Sequence, residues 1–153
     1  MKILLAVDGS PFSQAAVEEV IRRPWPSGTE VRVLSVIHPL PYIPALDPAF
    51  TSAAAHFESL KEERDRASRD IDKACKGIRE KAPNLKLSAE ALEGSPKEVI
   101  VEEAERWGAD LIILGSHGYG PSKRFVLGSV AQSVVLHAPC SVEVVRTSAQ
   151  MAA

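Results

Sequence analysis

The chain has only two cysteines, Cys75 and Cys140, far apart and outside any CxxC or Cys/His grouping. That excludes a disulfide framework or a zinc site as the organising device, and it points to a reducing, cytosolic setting. Charge of one sign is also lacking. Eighteen Lys and Arg face twenty Asp and Glu, for a formal charge of -2, so no long-range field draws the protein toward nucleic acid or an anionic membrane. Long apolar runs are absent as well: Ile3 to Val7 is too short for a signal peptide or a span and is broken at once by Asp8, so no membrane association is expected. No internal repeat is visible. What is present is 45% hydrophobic residues in 153 positions, enough for one sizeable core. Residues 1–147 are expected to form one domain, followed by a flexible tail at 148–153.

The apolar segments alternate between two kinds. Lys2 to Asp8 and Asp110 to Leu114 are short, unalternating runs, the pattern of strands covered on both faces. Glu30 to Ile37, Leu85 to Leu92 and Cys140 to Arg146 add three more strands. Between them, Ser10-Pro11 offers a cap and a first helical residue for a helix that ends before Pro24. Phe57, Leu60, Ala67, Ile71, Ala74 and Ile78 recur at helical intervals from about Ser52 to Lys81. Pro96 to Trp107 and Ser129 to His137 complete the helices. Strands alternating with helices imply right-handed crossovers and an α/β fold: an open, doubly wound five-stranded parallel sheet in the order 3-2-1-4-5 with helices on both faces. The stretch from His38 to Phe50 carries Pro39, Pro41, Pro44 and Pro48, which rules out regular structure and leaves a lid or a stiff connection.

In that order the first and fourth strands are neighbours, and ligands bind beyond their carboxyl ends. The loop after Asp8 and the segment Gly115-Ser116-His117-Gly118-Tyr119-Gly120, with Gly128-Ser129 opening the next helix, therefore face one crevice. Glycines let backbone N–H groups approach an anion, and a helix start adds unsatisfied donors. Triphosphate oxygens match such a loop. Neither the Gly-x-x-x-x-Gly-Lys-Ser/Thr motif nor the dinucleotide fingerprint is present. Ser129 has two available roles, a hydrogen bond to phosphate or a helix cap. Asp8 can recognise a base or sugar, or simply accept backbone N–H groups of its turn.

His117 lacks the partners of a catalytic histidine and reads as a loop-structuring residue. Lys123 and Arg124 are secondary candidates for phosphate. His38 can border a base pocket, whereas His56 and His137 lack metal-ligand companions. Trp25 and Trp107 read as packing residues, and Cys140 as a buried rather than a reactive thiol.

Gly115-x-x-Gly118, nine residues, then Gly128-Ser129 resembles the nucleotide-binding signature of the universal stress protein family, in its ATP-binding branch. The resemblance runs from Lys2 to about Arg146 and includes Lys-Ile-Leu-Leu-Ala-Val-Asp-Gly-Ser at the start and Ala-Pro-Cys-Ser-Val-Glu-Val-Val at the end. It implies an adenine nucleotide alpha hydrolase-like fold. Ala6, Val7 and Asp8 would line the adenine and ribose side, Val36 would give backbone contacts to the base, and Leu114 and Gly115 would continue that wall. Gly118, Gly128, Ser129 and Val130 would hold phosphates, with Mg²⁺ or Mn²⁺ bound through phosphate oxygens. It also implies a homodimer through the edge strand Ser141 to Arg146. The leading expectation is a cytoplasmic, ATP-binding stress-response or signalling module with slow or no hydrolysis. A weak ATPase or nucleotidyl-transferring enzyme, and a dimeric scaffold that needs no nucleotide, are the alternatives.

Overall fold

The computed structural model describes residues 1–38, 53–118 and 126–147. The proline-rich stretch, Gly120, Lys123, Arg124 and the tail 148–153 lie outside the described residues. Five strands, β1 (Lys2–Ala6), β2 (Glu30–Ile37), β3 (Lys86–Glu93), β4 (Leu111–Gly115) and β5 (Ser141–Val145), form one sheet. Its order is β3-β2-β1-β4-β5 and every pairing is parallel, as the alternation of elements predicts. The helices are α1 (Pro11–Arg22), α2 (Ala53–Lys81), α3 (Pro96–Trp107) and α4 (Ser129–His137).

The two-residue period of the strands divides the core. Ile3, Leu5, Val31, Val33 and Ile113 pack beneath α1 and α2 against Val17, Val20, Ile71 and Ile78. Leu4, Leu34, Ile112 and Leu114 pack on the other face against Ile100, Ala104, Ala131 and Val134 of α3 and α4. Both faces of β1 and β4 are thus apolar, which explains their unalternating sequences. β3 lies at an edge and alternates between exposed and half-buried residues along most of its length.

Local chemistry fixes the start of α1 and the end of α3 where the sequence puts them. The Ser10 hydroxyl accepts the Ser13 N–H at 3.2 Å and Pro11 follows as the first helical residue. Gly108 closes α3 in the left-handed region at φ 70°, where glycine is unstrained. One expectation is corrected: Phe57 is 68% exposed rather than buried in the seam of α2. The 29 residues of α2 span about 44 Å, whereas the eight residues of β2 span about 26 Å. The first turns of α2 therefore overshoot the sheet, and burial begins near Ala67.

Candidate functional site

β1 and β4 pair directly, yet their following loops run to opposite faces, to α1 and to α4. The sheet splits open at that point. Beyond it lies a cleft enclosing about 540 Å³, open mouth included, walled on one side by Ala6, Val7 and Asp8 and on the other by Leu114, Gly115 and Val130. Val36 of β2 closes one end. Seven of the ten residues picked out from the sequence meet here. Ser13, Leu34, Pro96, Ile100 and His117 complete the lining.

Those additions make the cleft mainly apolar, the right surface for a flat heteroaromatic ring. Leu34 is two residues before Val36 on the same face of β2, a relation the strand period supplies. Pro96 and Ile100 enter only because α3 packs against the α4 side of the sheet, a contact that no local sequence signal announces.

Asp8 stands at the polar end. Its Oδ1 accepts the Ser10 N–H at 3.0 Å, so the turn-forming role holds. Its Oδ2 lies 2.8 Å from where a Cβ on Gly118 would sit. The carboxylate and the glycine segment are therefore in contact across the mouth, and only glycine leaves that oxygen undisturbed at residue 118. Gly115 has a different reason. A Cβ there would fall 2.6 Å from the Phe12 carbonyl carbon, so the first turn of α1 sits directly on the end of β4.

The Gly128 N–H donates to the Ser116 carbonyl at 2.8 Å, folding the segment back on itself. A Cβ on Gly128 would approach that oxygen and His117 Cα to 3.1 Å. Gly128, not Ser129, is the N-cap of α4. Ser129 is the first helical residue and makes no capping bond, which removes the cap from its two available roles. The first N–H groups of α4 have no intrahelical partners and carry the positive end of the helix dipole. Val130 brings this turn to the cleft wall.

His117 Nδ1 lies 3.2 Å from Ser116 Oγ, and its ring packs against Phe12 with centroids 5.2 Å apart, the contacts of a residue that shapes its loop. His38 is not among the cleft residues; its Nδ1 donates to the Gly94 carbonyl at 3.1 Å. Both tryptophans pack as expected. Trp25 Nε1 donates to the Val20 carbonyl at 2.8 Å, and the Arg32 guanidinium lies 4.5 Å from the Trp107 ring centroid. Cys140 is half-buried, and burial pushes its thiol above the usual range, which keeps it protonated and unreactive. Among the described residues no group of three or more His, Cys, Asp and Glu is placed to hold a metal ion, and no helix is long and apolar enough to cross a membrane.

Comparison with known proteins agrees with this fold. A universal stress protein of Methanocaldococcus jannaschii is 35% identical over 145 residues, covering 95% of this chain and 81% of that one. Among solved structures, the universal stress protein UspA from Lactobacillus plantarum superposes with a TM-score of 0.79 at 32% identity, covering 95% of this chain and 97% of that one. An Arabidopsis thaliana member with AMP bound shares the fold at a TM-score of 0.70 and 20% identity, covering 99% and 94% of the two chains. Complexes of related proteins with cAMP and with dAMP share the fold too. The model of the universal stress protein family matches residues 1–146, and the chain belongs to that family.

Proposed function

We propose that this protein binds ATP or a closely related adenine nucleotide in the cleft between β1 and β4 and acts as a nucleotide-dependent stress-response or signalling module. One observation carries the reading: an apolar slot at the switch point of the sheet runs directly into a carboxylate on one side and a helix N-terminus on the other. The base fits between Val36, Leu34 and Leu114. The ribose, which must link base to phosphate, passes Asp8, whose Oδ2 accepts a hydroxyl. The phosphates meet the unpaired N–H groups of the first turn of α4, at Ser129 and Val130, while the Gly128 N–H stays on the Ser116 carbonyl. Adenine nucleotides bound to other family members support this assignment.

Mg²⁺ or Mn²⁺ would accompany the nucleotide, bound through its phosphate oxygens. The chain's part is to hold the nucleotide. Asp8 holds its own turn and His117 its own loop, roles that fit binding with slow or no hydrolysis. Micromolar affinity, roughly -8 kcal/mol, is the expected scale.

The assembly we propose is a homodimer through β5. That strand is the last in the sheet order, so no strand among the described residues pairs with its outer edge, and Val135 and Leu136 of the adjoining α4 are 47% and 70% exposed. Calorimetric titration with ATP, ADP, AMP and cyclic AMP, with and without Mg²⁺, tests the nucleotide reading. At least one is expected to bind at one site per chain; binding by none overturns it.

A further inference from the structure

A second cleft lies on the α2 side of the same sheet edge and shares Asp8 and Val36 with the first. It encloses about 400 Å³, open mouth included, and its remaining walls are Ser35, Glu63, Arg66, Ala67 and Asp70. Its chemistry is opposite to that of the apolar slot: three carboxylates face one guanidinium. That guanidinium is already engaged. Arg66 Nη1 lies 3.1 Å from Glu63 Oε1, and the Arg66 side chain is 53% exposed, so water screens most of its field. Asp70 is half-buried and also lines a smaller recess against Ser13 and Lys73. Among the described residues it makes no ion pair.

We propose that Asp70 is a specificity-determining residue of the nucleotide site: with Asp8 and Glu63 it makes the ribose side electronegative, so that the site accepts free ribose hydroxyls and rejects a phosphomonoester on the 2′ or 3′ oxygen. This rests on the nucleotide reading above. With the base in the apolar slot and the 5′-phosphate at α4, the ribose lies at Asp8, the polar residue common to both clefts. Its hydroxyls are donors and suit carboxylates. A phosphomonoester has no donor to offer and brings nearly two negative charges into a mouth whose lining already carries an excess of two, so that like charges repel through a partly screened medium. The repulsion amounts to about tenfold in affinity at the distances and screening of a half-open site.

The same geometry makes the rejection depend on pH. Burial, and then the charge of Asp8, hold the Asp70 carboxyl above the usual carboxylate range, opposed by Arg66, Arg69 and Lys73. Glu63 shares its cleft, and Ser13 and Gln14 of α1 add no charge. Protonation of Asp70 as the pH falls therefore weakens the rejection.

The test is a calorimetric comparison of AMP with adenosine 3′,5′-bisphosphate on the wild type, Asp70→Asn, Glu63→Gln and the outward-facing control Asp72→Asn, each checked for folding by circular dichroism. The wild type is expected to prefer AMP by about tenfold. Asp70→Asn should shrink that preference at least about threefold and reduce its change with pH to what the titration of the added phosphate itself produces, Glu63→Gln should shrink it in the same direction, and Asp72→Asn should leave it intact. Equal affinities in the wild type, or an unchanged preference in Asp70→Asn, overturn the inference while leaving nucleotide binding in place. Failure of the wild type to bind AMP or any other adenine nucleotide overturns both.

Discussion

Replacing Gly115 by alanine puts one methyl group where there is no room for it. The added Cβ would lie 2.6 Å from the carbonyl carbon of Phe12 and 2.8 Å from both its Cβ and its carbonyl oxygen, about 1 Å inside ordinary contact. Two of those three atoms are backbone, so no rotamer change relieves the overlap. Either the first turn of α1 moves away from β4, loosening the Ser10 cap, or β4 slips against β1 and β5. Overpacking of this kind costs about 2–3 kcal/mol, which at a urea m-value of about 2 kcal/mol/M lowers the unfolding midpoint by about 1–1.5 M. Because Gly115, Val7 and Ser13 share the cleft wall, nucleotide affinity should fall as well, even where the variant is fully folded. Gly28→Ala is the comparison: φ is +81° but nothing lies within 4 Å, so only the backbone penalty of about 1 kcal/mol applies. Equal midpoints for wild type and Gly115→Ala in urea denaturation followed by circular dichroism would refute the close approach of α1 to β4.

Other substitutions probe different forces. Gly77→Ala, inside α2 and 3.9 Å from Ile21 Cδ1 at the nearest, should stabilise by about 0.5–1 kcal/mol through helix propensity alone, read as a rise in Tm. Glu103, 1% exposed and paired with Arg32 and Arg106, should cost about 3 kcal/mol when replaced by alanine, because the half-buried Arg32 charge is left without a carboxylate; double-mutant denaturation with Arg32→Met should recover part of the loss. Since burial and Asp8 raise the folded-state pKa of Asp70, folding binds its proton more tightly, so its penalty is present at neutral pH and disappears as pH falls through the raised value toward the unfolded one. Asp70→Asn should thus raise the urea midpoint near pH 7, and the gain should shrink as the pH falls toward the unfolded carboxylate value. Val144→Lys on β5 should convert a dimer to monomer in sedimentation equilibrium; an unchanged mass would remove the edge-strand interface.

Much of the fold is written in short-range patterns. The unalternating runs at β1 and β4, the Ser10-Pro11 start of α1 and the regular alternation of strand and helix are enough to place Asp8 opposite Gly115, since parallel sheets leave few arrangements open. The remainder depends on quantities no local pattern contains. Helical periodicity identifies the buried face of α2 but not where along its axis the sheet ends, so Phe57 is exposed and Asp70 arrives beside Asp8 unannounced. Pro96 and Ile100 reach the cleft through packing between helices distant in sequence. A glycine, likewise, states that space is short without saying why: Gly118 spares the Asp8 carboxylate, Gly115 admits α1, and Gly128 caps α4 in place of the serine beside it.

Equilibrium binding of labelled ATP, measured together with phosphate release in the same samples, tests the central claim most directly. Wild-type protein should retain one nucleotide per chain with little or no release, and Gly118→Val combined with Gly128→Val should lose binding, since the added side chains enter the Asp8 contact and the turn before α4. The circular dichroism of the variant should stay that of a folded α/β protein. Absence of ATP binding to the wild type, or undiminished binding to the folded double variant, would contradict the account.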